Sequence, residues 1–274
     1  MTDRSWEVHY PEGLMEHIEL FRVDYIPYET YDAVLAEYLG THVASGRLKI
    51  CSLGCGTGQH EVNLARAGHV VLGLDRSAES IALAERNAGE GIAVDFCCAD
   101  ILREAGVAKA VGRRGPFDVA IMLGVQLSMA DHAHAARVIR QHLRRGGAFV
   151  CGLWGYAEDF DYRERHHESC VEIAEGRRGN DFAVRLNTYT YVQEDSHFFI
   201  DWDAVYLYPG EDGLARMFRR QCDRIEVTPE REGHDPLGLA GTTFERLPSR
   251  TLVECGEDMC LPHTYEYLAG WRKL

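Results

Sequence analysis

The chain has 274 residues, which is enough to bury a substantial core as one large domain or two small ones. Its 43 acidic and 29 basic residues leave a net charge of −14, and such a surface repels polyanions, so a nucleic-acid substrate is disfavoured. No apolar run approaches the roughly 20 residues that cross a bilayer, and the polar N-terminus is unlike a signal peptide. We therefore expect a soluble, cytoplasmic protein with no membrane partner.

Cysteine spacing argues against a bound metal. The nine cysteines are scattered and contain no CxxC pair, which is the usual start of a zinc site or redox motif. The sequence therefore predicts reduced thiols, most of them buried, and no metal site.

Between residues 48 and 154, short apolar runs alternate with amphipathic stretches, a pattern typical of βα units around a parallel sheet. The predicted strands are Leu48–Leu53, His69–Asp75, Ala93–Cys98, Phe117–Leu123 and Ala148–Leu153. Ser77 is placed to cap the helix after the second strand. A later helix with Ala135, Ile139 and Leu143 on one stripe is predicted to close at Arg144 and Arg145, before Gly146.

The flanking segments differ in character from this core. We expect an N-terminal helical cap over residues 1–46 and a main domain over 47–274, with an antiparallel element inserted at about 180–210. Phe182–Val192 and His197–Tyr208 are rich in aromatic and β-branched residues, which predicts a long hairpin. Further along we predict, in chain order, a helix at Leu214–Gln221, an edge strand at Arg224–Val227, a loop at Pro229–Ser249 and a strand at Thr251–Cys255.

The strongest local signal is a glycine-rich turn, Gly54-Cys55-Gly56-Thr57-Gly58, placed between the first strand and a helix. Glycines let a backbone turn tightly and approach a ligand, and the helix N-terminus offers unpaired N–H groups. A nucleotide-like ligand suits such a turn, although a plain structural bend is the alternative.

Two acids follow the next two strands. Asp75 ends the second strand 17 residues after Gly58, where a carboxylate can accept hydrogen bonds from both hydroxyls of a ribose. Asp100 follows the third strand at the same edge of the sheet. Helix capping or plain surface exposure is the alternative role for Asp75.

These segments together resemble the class I S-adenosylmethionine-dependent methyltransferase family, of the small-molecule type. The resemblance rests on Leu53–Gly58, Gly73–Ser77, Ala99–Ile101, Phe117–Val119 and Leu143–Gly147. It implies a Rossmann-like, seven-stranded, mostly parallel sheet with a reversed C-terminal edge hairpin. We predict that this hairpin pairs Arg224–Val227 with Thr251–Cys255.

The resemblance also implies a cofactor site for S-adenosyl-L-methionine, whose product is S-adenosyl-L-homocysteine. Gly54, Cys55 and Gly56 would contact the methionine moiety. Asp75 and Arg76 would lie at the ribose, and Asp100 with Ile101 at the adenine, while Leu123 would line the sulfonium. The family usually carries an acid two residues before the first glycine, where this chain has Ser52, so we expect altered affinity.

An NAD-dependent oxidoreductase is the main alternative, because it shares the strand, the glycines, the helix and the distal acid. Its G-x-G-x-x-G spacing would place a third glycine at Gln59, so methyl transfer is favoured. A non-catalytic S-adenosylmethionine-binding protein, with Ser52 as its only hint, is a second alternative.

Catalytic residues are harder to name, since methyl transfer chiefly needs alignment and, where required, removal of a proton. Tyr25, Tyr28 and Tyr31 could close over the sulfonium through cation–π contact or simply pack the N-terminal helices. His166, His167 and Tyr28 are the catalytic candidates, with a surface histidine pair as the alternative. The inserted hairpin resembles that of small-molecule N-methyltransferases, including those acting on amino sugars. The resemblance implies that the hairpin roofs the acceptor pocket or pairs subunits in a homodimer, and that the acceptor is a nitrogen or oxygen of a small metabolite such as a natural product or amino sugar.

Overall fold

The computed structural model describes residues 14, 17–18, 28–125, 127–156, 167–175, 182–194, 197–210, 212–228, 234–241, 243–254 and 264–274. The helices are α1 Tyr28–His42, α2 Gln59–Arg66, α3 Ala78–Ala88, α4 Glu104–Val111 and α5 Met129–Arg140. The strands are β1 Lys49–Leu53, β2 Val70–Asp75, β3 Val94–Cys98, β4 Phe117–Met122, β5 Leu143–Tyr156, β6 His167–Glu175, β7 Phe182–Glu194, β8 His197–Pro209, β9 Ala215–Val227, β10 Phe244–Glu254 and β11 Thr264–Lys273.

A seven-stranded sheet in the order β10-β11-β5-β4-β1-β2-β3 forms the centre of the fold. Strands β1 to β5 pair in parallel, whereas β11 runs antiparallel to both β5 and β10. The predicted Rossmann-like sheet with a reversed edge hairpin is therefore confirmed, and the first four predicted strands match within one residue at each end.

Alternating side chains of the sheet bury two separate cores. On one face, Ile50 and Val71 pack with Leu35 of α1 and Leu64 of α2. On the other face, the residues that alternate with Ile50 and Val71 along their strands pack with helices α4 and α5. Helices on both faces explain why the central strands are apolar on both sides.

The order of the strands reverses between β1 and β4, because the chain builds β2 and β3 on one side of β1 and β4 and β5 on the other. Ligands of open α/β sheets bind at the carboxyl ends of the strands beside such a reversal. Both the glycine turn after β1 and Leu123 after β4 lie at this point.

A second sheet of four antiparallel strands, β6-β7-β8-β9, contains the predicted hairpin as β7 and β8. Its buried face carries Tyr189, Tyr191 and Trp202, which pack with Leu14 from the N-terminal segment. The sheet contacts the carboxyl edge of the main sheet, where the Thr228 N–H donates to the Trp154 carbonyl at 3.0 Å. The second sheet thus covers the end of β5.

One helix ends earlier than predicted. Helix α5 stops at Arg140, and Leu143 pairs with Phe117 in the β4–β5 ladder, so Arg144 and Arg145 lie in β5 rather than in a last helical turn. Gly146, with φ of +72°, lies within β5 at the irregularity of its ladder with β4 and is not a helix cap. Ladder pairing with β4 decides this boundary, which a helical stripe cannot reveal.

The C-terminal predictions need a larger correction. The segment predicted as a helix at Leu214–Gln221 lies mostly in β9, because its backbone pairs with β8 in the second sheet. Arg224–Val227 belongs to the same strand, so its predicted pairing with Thr251–Cys255 is wrong. The reversed edge hairpin is instead β10 with β11, and β10 begins inside the predicted loop at Phe244.

Two further expectations concern membranes and cysteines. Within the part of the chain that the structure describes, no helix is both long and apolar enough to cross a bilayer. Cys51 and Cys151 are free and buried, Cys98 is free and exposed, and Cys170 on β6 is disulfide-bonded. The expectation of reduced thiols is therefore wrong at Cys170. No metal-binding cluster is found among the described residues.

Candidate functional site

The glycine turn lies at the carboxyl end of β1 and has the backbone conformation that glycine allows. Gly54, Gly56 and Gly58 have φ of +75°, +54° and +77°. Gly58 is the N-cap of α2 and supplies no side chain to the N–H groups of its first turn. Those N–H groups face the edge of the sheet where a ligand binds.

Two of these glycines also allow close packing. A Cβ on Gly54 would lie 2.6 Å from the Val125 side chain, which follows β4. A Cβ on Gly58 would lie 2.6 Å from Phe96 of β3 and 2.8 Å from Ala84 of α3. The turn is therefore held between the strands on either side of the reversal.

Asp75 ties the glycine turn to the end of β2. Its Oδ2 atom accepts from the Gly56 N–H at 2.9 Å, and its Oδ1 atom accepts from the Ser77 N–H at 2.8 Å. Each carboxylate oxygen has a second lone pair, so the group keeps capacity to accept from two ligand hydroxyls. The side chain is thus fixed in direction before any ligand arrives.

Asp100 is held in the same way at the end of β3. Its two oxygens accept from the Leu102 N–H at 3.0 Å and from Arg103 Nε at 3.1 Å. The Ala99 N–H donates to the Asp75 carbonyl at 2.8 Å, which joins the ends of β2 and β3. The two acids therefore lie along one edge, as the sequence predicted.

The remaining predicted cofactor residues take distinct positions. Cys55 is half-buried in the turn, and burial raises the pKa of its thiol. Ile101 and Leu123 are buried beside the strand ends, whereas Arg76 is exposed. Whether these side chains touch a cofactor stays a prediction.

The structure describes the side chain of only one of the three catalytic candidates. Tyr25 and His166 lie outside the described residues, and for His167 the structure describes only the backbone, at the start of β6. Tyr28 begins α1 and its ring lies 4.7 Å from the ring of His60, edge to face. Tyr28 is therefore the one catalytic candidate whose described side chain contacts a residue beside the glycine turn. Tyr31, also predicted to lie over the sulfonium, contacts His60 as well, at 4.8 Å.

Ser52 faces the α2 side of the sheet, where it meets a buried acid. Its hydroxyl lies beside the carboxyl group of Glu61, a residue of α2 that is only 2% exposed. The Oε2 atom of Glu61 has no hydrogen-bond partner among the described residues, and burial raises the pKa of this carboxyl. A carboxyl group thus lies under the glycine turn although β1 itself carries none.

Sequence reasoning missed two polar pairs at this edge. His60 Nδ1 lies 2.7 Å from Asp32 Oδ1, and the Tyr31 hydroxyl donates to Glu266 Oε1 at 2.8 Å. A side chain at Gly152 would collide with both members of the second pair. The members of each pair are far apart in sequence, so no spacing motif could reveal them; only the position of His60 just after the glycines was a signal.

A known protein family matches the part of the chain that contains the glycine turn and the two acids. Residues 50–147 match the family model described as "Methyltransferase domain". This stretch runs from β1 into β5 and includes the glycine turn, Asp75 and Asp100. This part of the chain is therefore similar to a methyltransferase domain. The match confirms the methyltransferase interpretation of the motifs over the dehydrogenase one.

The match to curated relatives covers only part of the length of those proteins. The ubiquinone biosynthesis O-methyltransferase of Cereibacter sphaeroides is 28% identical over 155 residues, which cover 55% of this chain and 59% of that protein. The chain therefore spans about three fifths of the length of the curated relatives it matches.

Solved structures share the fold over nearly the whole chain. The sugar N-methyltransferase KedS8 from Streptoalloteichus sp. ATCC 53650 has a TM-score of 0.63 at 21% identity and covers 96% of this chain and 95% of that one. The amino pentose methyltransferase CalS10 from Micromonospora echinaspora, solved with S-adenosylmethionine, has a TM-score of 0.57 at 17% identity and covers 96% and 99%. The fold of these two structures therefore matches this chain over nearly its whole length.

The packing of Gly58 yields a first prediction. Gly58→Ala should destabilise the fold by about 2–4 kcal/mol, because a left-handed backbone strains any side chain and the new methyl overlaps Phe96 and Ala84. Urea unfolding measures the change. Gly68→Ala is the matched control: φ is +99° with no atom within 4 Å, so only the backbone strain applies. Equal losses at both positions would contradict the packing argument.

Burial of Glu61 predicts a pH dependence. Because the folded state raises its pKa above the ordinary 4.5, folded protein binds the proton more tightly than unfolded chain. The contribution of Glu61 to stability is therefore greatest below that ordinary value and is lost as pH rises through the raised one. The unfolding free energy of wild type minus that of Glu61→Gln should grow as pH falls from 8 toward about 5.

Denaturant titrations at each pH measure that difference. Glu85→Gln on the exposed side of α3 serves as a matched control for removal of one negative charge. A difference for Glu61→Gln that stays flat over the range, or that shrinks at low pH, contradicts the assignment.

Proposed function

We propose that the protein transfers the methyl group of S-adenosyl-L-methionine to a nitrogen or oxygen of a small metabolite. The observation that carries the proposal is the joint between Gly56 and Asp75, which fixes a ribose-binding carboxylate against the glycine turn at the strand reversal. The family match over residues 50–147 supports it.

The residues present fit this donor. In the proposal, the main chain of Gly54, Cys55 and Gly56 contacts the methionine part, while Asp75 accepts from the ribose hydroxyls. At the other end of the donor, Asp100 accepts from the adenine amine and Ile101 packs beside the base. Arg76 and Leu123 complete the predicted set, at the ribose and the sulfonium respectively. Both acids keep acceptor capacity beyond their bonds within the protein.

When bound, the donor supplies an electrophilic methyl group, and the chain's own task is alignment and proton handling. The second sheet covers the carboxyl end of β5 and so closes the space above it, which supports its proposed role as the roof of the acceptor pocket. Tyr28, at the N-terminus of α1, and the predicted His166 and His167 remain candidates for proton removal.

Whole-chain likeness supports an amine acceptor. The two solved structures whose fold matches this chain over nearly its whole length are described as acting on a sugar nitrogen and on an amino pentose. We therefore propose an amino sugar or a related hydroxylated amine as the acceptor class. O-Methylation is the second candidate, favoured by the O-methyltransferases among the curated relatives.

Calorimetry with S-adenosylmethionine and S-adenosylhomocysteine tests donor binding, followed by turnover of labelled donor over a panel of amino sugars and of phenols. Mass spectrometry of the product then distinguishes N-methyl from O-methyl groups. Binding without turnover across the panel supports the non-catalytic alternative, and a response to NAD alone supports the oxidoreductase.

Asp75 provides the sharpest variant for donor binding. Asp75→Ala should weaken S-adenosylhomocysteine binding by about tenfold to a hundredfold, since the ribose loses its acceptor and the Gly56 N–H loses its partner. Titration calorimetry gives the ratio. Asp95→Ala is the control, because that exposed acid on β3 forms an ion pair with the exposed Arg114 and lies outside the proposed donor site. Unchanged affinity in Asp75→Ala would contradict the donor site.

We also propose that the protein forms a homodimer through the outer face of the second sheet. Five apolar side chains are exposed there on three strands: Val171, Ile173, Phe182, Leu186 and Met217. In the strand register Val171 lies opposite Leu186, so the apolar side chains adjoin each other across the strands. Exposed apolar patches of this kind mark interaction surfaces, and a two-fold axis lets one face bury its own copy.

The dimer proposal predicts that Ile173→Lys combined with Met217→Lys yields a monomer at concentrations where the wild type is a dimer. Ile173 and Met217 are 66% and 72% exposed, so the charges cost little in the isolated chain. Light scattering after gel filtration measures the mass. Leu274→Lys, at an exposed apolar position outside the second sheet, should leave the dimer intact. A monomeric wild type would refute the proposal.

Two expectations from the sequence complete the proposal. The net charge of −14 supports a small-molecule acceptor over nucleic acid. A cytoplasmic location is supported by the free thiols at Cys51, Cys55, Cys97, Cys98 and Cys151, whereas the disulfide at Cys170 counts against it.

A further inference from the structure

An aspartate and a histidine from neighbouring helices form a fixed pair beside the glycine turn. Asp32 lies on α1 and His60 on α2, with 2.7 Å between Oδ1 and Nδ1. The second oxygen of Asp32 accepts from Asn63 Nδ2 at 2.7 Å. Because both carboxylate oxygens are held, the plane of the imidazole ring is held as well, with Nδ1 toward Asp32 and Nε2 directed away from it.

Two tyrosines enclose the ring. The Tyr28 ring lies 4.7 Å and the Tyr31 ring 4.8 Å from the ring of His60, centroid to centroid. The side chains of His60 and Asp32 are 17% and 14% exposed. The pair is thus largely shielded from water, which strengthens the hydrogen bond between its two members.

The pair lies on the far side of the glycine turn from the two strand-end acids. Asp75 and Asp100 end β2 and β3, whereas Tyr31, which contacts His60, bonds to Glu266 on β11. In the strand order, β2 and β3 lie on one side of β1, while β4, β5 and β11 lie on the other. A ligand with its ribose on Asp75 and its length across the turn therefore directs its amino-acid end toward His60.

That end of S-adenosylmethionine carries an α-carboxylate. With a hydrogen on each ring nitrogen, His60 donates from Nδ1 to Asp32 and presents its Nε2–H to a ligand, beside the N–H groups at the start of α2. Bound in this way, the ring lies between two carboxylates, one at each nitrogen. We propose that His60, oriented by Asp32, binds the α-carboxylate of the methyl donor.

The inference rests on the proposed function, since it assigns one end of the same donor. It makes His60 a binding residue and Asp32 a positioning residue. A purely structural pair, which only docks α1 onto α2, would affect every ligand of the site equally. Two ligands that differ only in the carboxylate therefore separate the two roles.

The experiment measures binding of S-adenosylhomocysteine and of its analogue without the α-carboxylate to wild type, His60→Ala and Asp32→Asn. His60→Ala should weaken S-adenosylhomocysteine about tenfold to a hundredfold and leave the decarboxylated analogue within about twofold. Asp32→Asn should show the same selectivity with a smaller loss, because the ring keeps a neutral partner. His60→Gln replaces His60→Ala if the latter fails to fold by circular dichroism.

His42→Ala is the matched control, since His42 of α1 also lies beside a tyrosine, at 4.7 Å from Tyr38, but outside this cluster. It should leave both affinities unchanged. Equal losses for the two ligands, or no loss for either, overturn the inference while wild-type binding preserves the proposed function. A wild type that binds neither ligand overturns both.

Discussion

The site depends on one carboxylate that bonds to two backbone amides. Asp75 accepts from Gly56 on one side and from Ser77 on the other, so the end of β2, the glycine turn and the start of α3 become one rigid corner. The turn needs this support because its glycines adopt left-handed backbone conformations, and glycine loses more conformational freedom on folding than other residues do. With the corner fixed, donor binding meets a surface that is already organised, which limits the ordering that binding must impose.

Polar groups are distributed on both sides of that corner. Toward β3 lie the strand-end acids, which suit hydroxyl and amine donors on a ligand. Toward β5 and β11 lie Asp32–His60 and Tyr31–Glu266, pairs in which a charged or acidic group is buried together with its partner. Burying such groups costs free energy unless they are paired, so each member of these pairs depends on its partner for its place at this edge.

The site shows where motif reasoning succeeds and where it fails. Gly54, Gly56, Asp75 and Asp100 could be predicted because each follows a strand directly, and neighbouring parallel strands bring their ends together. The buried position of Glu61 at this site could not be predicted, because it depends on the Ser52 hydroxyl, which lies on another element. For Asp32 and His60 the partner lies 28 residues away, and only the packing of α1 against α2 brings them into contact.

The sequence by itself determined the elements whose pattern is local: the parallel strands, the Ser77 cap, the glycine turn and the β7–β8 hairpin. The tertiary structure alone decided the strand identity of β9, the start of β10 and the end of α5, because backbone pairing with a distant strand overrides a helical or loop-like stretch. Local patterns record which face of a segment is apolar. They do not record which strand pairs with it, and pairing fixed the second sheet and the edge hairpin.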